Sequence, residues 1–257
     1  MRNIHRVVLV ISVLVLGCTT KDVPKTEIVC SEVVNSTNIN KVSINKINSV
    51  EVVLVGELES QIILSGLVDV QSVDSTILID VRYSSLNNFM KEDLYGDLEK
   101  IYLQKSVVND LKKCSDYLKS IDSSLVLLVY DGVRPRSVQQ KMWDVLDLPV
   151  HEKIKFVSNP KNGSIHNYGC AVDLTIAKLN GDTLDMGAGY DDIRKIAYPR
   201  YESKFLANGL LSLEQVNNRK LLRKVMKKGG FYNIQTEWWH FNRYNRNKAK
   251  SLFDIIE

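Results

Sequence analysis

Histidine is scarce in this chain: 257 residues hold four, His5, His151, His166 and His240. Cysteine is as scarce, with four residues and no Cys-x-x-Cys pair, which leaves no zinc site built from cysteine pairs. No excess of one charge exists either. The formal net charge is +4, and lysines and arginines are mixed with acids along the whole length, so there is no basic patch of the kind that binds nucleic acid. Internal repeats and low-complexity tracts are missing as well. What is present is ordinary for a globular protein, 44% hydrophobic and 25% charged residues in a chain long enough for one main domain with a sizeable core.

The first 18 residues differ from the rest. Arg2 and Arg6 precede an apolar run over residues 7–16, followed by Gly17-Cys18. The run is shorter than the roughly 20 residues of a spanning helix, and its charged-then-apolar layout is that of an export signal. Val15-Leu16-Gly17-Cys18 resembles a bacterial lipobox, whose cysteine takes a lipid and becomes the mature N-terminus. That implies a domain tethered through Cys18 to a bacterial envelope membrane, on its periplasmic face; Thr19 after the cysteine is compatible with an outer membrane. An uncleaved signal anchor would also leave the domain outside the cytoplasm. Residues 19–48 are rich in Ser, Thr, Asn and Lys and read as a flexible spacer. The domain organisation expected is a signal over 1–18, spacer and lead-in over 19–65 with candidate strands at 50–55 and 61–70, and one domain over 66–257.

Apolar periodicity organises that domain. Residues 76–81 form a β-branched run with strand character, and 97–121 carry a helical period. Residues 125–130 read as a buried strand stopping at Asp131-Gly132, 137–146 as a helix and 171–176 as a strand. A helix over 217–228 is closed by Gly229-Gly230, and 238–241 is a short strand. Helices and strands mix without a βαβ rhythm, which predicts an α+β fold. Cys114 falls on the stripe Leu98, Ile101, Val108, Leu111, Leu118 and reads as a buried free thiol; a Cys30–Cys114 disulfide is the alternative.

Two clusters carry chemistry. His166 and Asp173 lie seven apart where a loop enters a strand, so both side chains can converge on one point; imidazole nitrogen and carboxylate oxygen are both zinc ligands. Gly169 permits the turn between them, and Ala171 keeps the space small. The second cluster is Glu237-Trp238-Trp239-His240. Three ligands, His166, Asp173 and His240, leave a fourth position for water, as in catalytic rather than structural zinc sites, and Glu237 would then be the general base. Trp238 and Trp239 would wall the site or fill the core. His151, after Pro149 in a loop-like stretch, reads as an ordinary surface histidine.

The ordered set Ser164-x-His166-x-x-Gly169-x-Ala171-x-Asp173 and Glu237-x-Trp239-His240 resembles the zinc D-alanyl-D-alanine dipeptidases, which include the vancomycin-resistance dipeptidases. Asp80-Val81-Arg82-Tyr83, Asn87-Asn88-Phe89, Tyr130-Asp131-Gly132-Val133-Arg134-Pro135, Asp185-Met186-Gly187, Tyr190-Asp191 and Asn218-Arg219-Lys220-Leu221-Leu222 extend the likeness from about residue 66 to 243. The resemblance implies a central, mostly antiparallel sheet flanked by helices. It also implies one zinc per chain on His166, Asp173 and His240, with Glu237 as base close to the substrate's amino end. Arg134 would bind the developing oxyanion, Asp191 the free ammonium of a dipeptide, and Ser164 and Tyr83 would lie near the substrate carboxylate and pocket wall. The chain departs from the pattern at Val133, where an aromatic is usual, and at Cys170, where a smaller residue is usual; both bear on substrate preference. Two rivals stay open: a D,D- or L,D-carboxypeptidase trimming longer wall peptides, and a non-catalytic zinc-containing wall-binding module. Arg134 can also be read as a structural ion-pair partner, and Asp191 as the cap of a helix starting near Asp192. No protein partner is inferred.

Overall fold

The computed structural model describes residues 55–154 and 156–257, so the expectations for the signal, for Cys18 and Cys30, and for the spacer up to residue 54 lie outside the described residues. The described part opens with helix α1 (Glu57–Leu64), strand β1 (Val68–Asp69), the single turn α2 (Val70–Val73) and strand β2 (Leu78–Ile79). Strand β3 (Tyr102–Leu103) leads into the long helix α3 (Lys105–Ile121) and strand β4 (Leu125–Asp131). Helices α4 (Arg136–Val145) and α5 (Val150–Lys153) precede strand β5 (Ala171–Lys178). Helices α6 (Glu202–Ala207) and α7 (Leu213–Lys228) are followed by β6 (Tyr232–Asn233), β7 (His240–Asn242) and α8 (Arg246–Leu252).

Five strands form one sheet in the order β2-β4-β5-β7-β6, with β2 parallel to β4 and every other neighbour antiparallel. β1 and β3 pair separately. Helices flank the large sheet, so the architecture is the α+β arrangement with a mostly antiparallel central sheet. β4 is buried at all seven positions because both its faces are covered. Leu125, Leu127 and Val129 join Val172, Leu174 and Ile176 of β5 in the main core, against Leu111, Leu118, Leu222, Val225 and Met226 of α3 and α7. The opposite residues of β5, Asp173 and Thr175, therefore face away from those helices.

α3 and α7 approach closely where α7 ends. A Cβ added to Gly229 would lie 2.2 Å from the Asp110 carbonyl oxygen, so only glycine fits there. α7 begins four residues earlier than expected, because Ser212 and Gln215 form a reciprocal capping box that satisfies its first amide groups. Cys114 is a buried free thiol, pushed up to about 12 by burial, with its Sγ against the Asp110 and Met226 carbonyls.

Two further readings change. The run 61–70 is not extended at its start: α1 occupies residues 57–64, its first turn carries Glu57 and Glu59, and Ile62 is fully buried against Leu98, Tyr102 and Met142. The helical run expected from residue 97 contains β3 before α3 begins at Lys105, because Tyr102 and Leu103 pair in antiparallel register with Asp69 and Val68. Among the described residues no helix is long and apolar enough to cross a membrane.

Candidate active site

Three side chains meet at one end of the sheet. Asp173 on β5 and His240 on β7 are direct cross-strand partners, which brings residues far apart in sequence to adjacent positions. His166 opens a 3-10 turn over His166–Tyr168 that stops at Gly169, whose φ of +62° turns the chain into β5. His240 Nδ1 lies 3.0 Å from Asp173 Oδ1 and 3.1 Å from His166 Nε2, and His166 Nε2 lies 3.5 Å from Asp173 Oδ1. Donor atoms about 2.0–2.1 Å from a tetrahedral zinc stand roughly 3.3–3.4 Å apart, so this triangle has the right size.

The outer hydrogen bonds fix the direction of each lone pair. His166 Nδ1 donates to the Gly132 carbonyl at 2.7 Å, and His240 Nε2 donates to Asn242 Oδ1 at 3.0 Å. Both inner nitrogens, Nε2 of His166 and Nδ1 of His240, then present lone pairs toward each other and toward a carboxylate. Three acceptors facing one point require a cation. Burial alone would raise the Asp173 carboxyl; positive charge beside it, carried by the two imidazoles when they are protonated, outweighs burial and holds it well below the ordinary range.

A bulge completes the site. Between Val129 and Asp131 the register of β4 against β5 shifts, which sets Asp131 directly opposite Asp173. Asp131 is fully buried and accepts from Tyr95 Oη at 2.8 Å, from the Gly132 amide at 3.0 Å and from Arg134 Nη2 at 2.5 Å. Burial by itself would lower the Arg134 guanidinium, but Asp131 beside it raises it further, and it stays charged. Its Cζ sits 5.0 Å over the Tyr83 ring, and Nη2 is 3.9 Å from Asp173 Oδ2. Arg134 is thus an ion-pair partner that also faces the cavity.

All eight residues expected at the site line one cavity of about 270 Å³: Tyr83, Arg134, Ser164, His166, Asp173, Asp191, Glu237 and His240. Glu237 Oε2 is 3.9 Å from His240 Nδ1, and burial raises its carboxyl above the ordinary value. Asp191 caps no helix; it is held at a φ of +60°, and its Oδ2 accepts from Tyr83 Oη at 3.1 Å. Burial, then the Asp173 charge, pushes Asp191 up to about 8. The Ser164 hydroxyl is buried and without a partner among the described residues. Trp239 lines the cavity, whereas Trp238 packs behind it, edge-on at 5.5 Å between ring centres. His151 is exposed, away from the cavity. Cys170 is fully buried and pushed up to about 12 by that burial, the signature of a space-filling thiol.

Asp131, Asn242 and Tyr190, whose Oη lies 3.3 Å from Asp173 Oδ2, had no role assigned from sequence. An acid ending a buried apolar run was the available signal for Asp131, since a buried charge needs a partner.

Residues 64–257 match the family model for D-Ala-D-Ala dipeptidase, peptidase M15. The chain belongs to that family. It is therefore a metallopeptidase of a group of zinc enzymes. The D-alanyl-D-alanine dipeptidase of Escherichia coli K12 is 30% identical over 175 residues, covering 68% of this chain and 83% of that protein. The enzyme of the same name from Enterococcus faecalis is 26% identical over 191 residues, covering 68% and 90%. A solved Zn(II) complex of the vancomycin-resistance D,D-pentapeptidase VanY overlaps only loosely, with a TM-score of 0.36 and 14% identity over 60% of this chain and 79% of that one.

Proposed function

We propose that this chain hydrolyses D-Ala-D-Ala to two D-alanines, with one zinc per chain held by His166, Asp173 and His240. The observation that carries the reading is the convergence of three ligands, an arginine and two further acids, Glu237 and Asp191, on a single small cavity. At about 270 Å³ it lies just below the roughly 300–1,000 Å³ of pockets for drug-sized ligands, a size suited to a dipeptide.

Each side chain then has a task. Zinc, when bound, supplies a Lewis acid that makes a water nucleophilic near neutral pH. Glu237 takes the proton of the attacking water and passes it to the leaving amine; burial, which raises its carboxyl, suits that exchange. Arg134, pre-set by Asp131, meets the negative charge that develops on the carbonyl oxygen. Asp191 meets the free ammonium, and a bound ammonium favours its ionised form. The unpartnered Ser164 hydroxyl is free to donate to the substrate carboxylate, with Tyr83 as wall. An acid reserved for a free amino end favours a dipeptide over a longer wall peptide.

The test is amine release from D-Ala-D-Ala, L-Ala-L-Ala and a tripeptide ending in D-Ala-D-Ala, with and without a zinc chelator. Chelator-sensitive cleavage of D-Ala-D-Ala alone supports the dipeptidase. Cleavage of the tripeptide replaces it with a carboxypeptidase, and no cleavage by zinc-loaded protein with a wall-binding module. We further propose a lipid tether at Cys18, supported by the lipobox-like Val15-Leu16-Gly17-Cys18, with the domain on the periplasmic face of an envelope membrane. Membrane fractionation of Cys18→Ser tests it: release into the soluble fraction is expected, and unchanged membrane association overturns it.

A further inference from the structure

The segment that carries Tyr190 and Asp191 is a loop without regular structure over residues 187–194, so something must fix its shape. Its sharpest demand is at Asp191, whose φ of +60° is a left-handed conformation that residues with side chains adopt rarely, aspartate among the more readily. The residue at both roots of this loop is Arg219, in the middle of α7. Its Nε donates to the Met186 carbonyl at 2.6 Å, just before the loop, and its Nη2 to the Ile196 carbonyl at 3.1 Å, just after it. The guanidinium side chain is fully buried, and Nη1 faces Glu202 Oε1 at 3.6 Å. Glu202 is itself held in a bidentate pair by Arg223 at 2.8 and 2.6 Å.

Neighbouring residues of α7 grip only one root. Gln215 Nε2 donates to Asp185 Oδ2, and Asn218 Nδ2 to the Asp185 carbonyl. Arg219 alone among them spans from one end of the loop to the other. Arg219 does not line the cavity, and its buried permanent cation is held by Glu202 and the two loop carbonyls, as a buried charge must be. A planar fork reaches the two carbonyls from two different nitrogens held in fixed directions, whereas a lysine must make both bonds from one nitrogen.

We propose that Arg219 is a positioning residue that clamps the two roots of the loop and so sets Asp191 at the place where it receives the ammonium of the substrate. The assignment of Asp191 rests on the dipeptidase reading; the clamp itself does not.

The test uses the full-length zinc-loaded protein and Arg219→Lys, with Arg219→Gln in reserve should the lysine variant not fold. Hydrogen exchange over residues 187–195 is expected to rise in the variant, while exchange around His166, Asp173 and His240 and the zinc content stay as in the parent. Unchanged exchange over 187–195 overturns the clamp whatever the substrate. In kinetics with D-Ala-D-Ala, KM should rise about tenfold with kcat within roughly twofold, and Arg219→Lys should add nothing in an Asp191→Ala background. A fall in kcat at unchanged KM, or effects that multiply in the double variant, would mean general damage to the fold and overturn the positioning role. Failure of the parent protein to cleave D-Ala-D-Ala would strike the dipeptidase reading instead and leave the exchange result to judge the clamp.

Discussion

Asn242 aims His240: its Oδ1 accepts from His240 Nε2 at 3.0 Å, and the Nδ1 of the same ring then turns to Asp173 and His166. The two residues are alternate positions of β7, so the strand itself sets the hydrogen bond. Losing such an outer partner costs roughly 10–100-fold in metal affinity. Asn242→Ala should weaken zinc binding by that factor in a competition against a chromogenic chelator, while Asn242→Asp should hold the metal at least as well. Parent-like affinity in the alanine variant would show that the ring is oriented by its neighbours alone.

Glu237 sits apart from the three proposed ligand atoms, with Oε2 3.9 Å from His240 Nδ1, and about a third of its side chain is exposed. A base should be separable from metal binding. Glu237→Gln is expected to keep its zinc by elemental analysis and to lose about 10²–10⁴-fold in kcat. Loss of the metal along with activity would make Glu237 a ligand and remove it as the base.

α1 begins nine residues before Gly66, and Ile62 on it is fully buried beside Leu98, Tyr102 and Met142. A buried isoleucine cut to alanine leaves a cavity and costs about 2–5 kcal/mol. Ile62→Ala should lower stability by that amount in urea unfolding, and exposed Leu64→Ala on the same helix should change it little. Equal, small effects from both would detach α1 from the folded unit.

How much was legible in the sequence follows from the range of each interaction. His166 and Asp173 could be paired because a short segment with one enabling glycine joins them, and β4 because six apolar residues, 125–130, run consecutively. Register is non-local: that Asp173 faces His240, and Asp131 faces Asp173 across a bulge, depends on strand pairings that no spacing encodes. α1 is not legible in the sequence because Ile62, Ile63 and Leu64 look like the start of a strand, and the cluster around Leu98 and Tyr102 that Ile62 packs into lies far along the chain. β3 was hidden for the same reason, since its partner is β1. Arg219 stood in a run that resembled the family, but only the fold shows that its two partners are the ends of one loop.

The end of β7 is tied to α3 by a second ion cluster, and its pH dependence can be worked out. Arg243, the residue after β7, donates from Nε to Asp110 Oδ2 at 2.7 Å, and Lys113 Nζ donates to Oδ1 at 2.6 Å. Burial alone would raise the Asp110 carboxyl, but these two cations outweigh it and hold it below its ordinary value. A folded-state pKa below the unfolded one means that the unfolded chain takes up the proton first. The stabilisation is therefore fully present above the unfolded value of roughly 3.9 and is lost as pH falls through the folded value. Asp110→Asn should lower Tm near neutral pH, and the gap to the parent protein should close as the pH is taken below about 4. A gap that stays constant down to pH 2 would assign the effect to shape rather than charge. Because Arg243 also donates its amide to the Cys170 carbonyl at 2.8 Å, between the His166 turn and β5, a loosened Asp110 pair should reach the proposed metal ligands as well. Zinc retention measured on Asp110→Asn at pH 7 should accordingly fall with its stability.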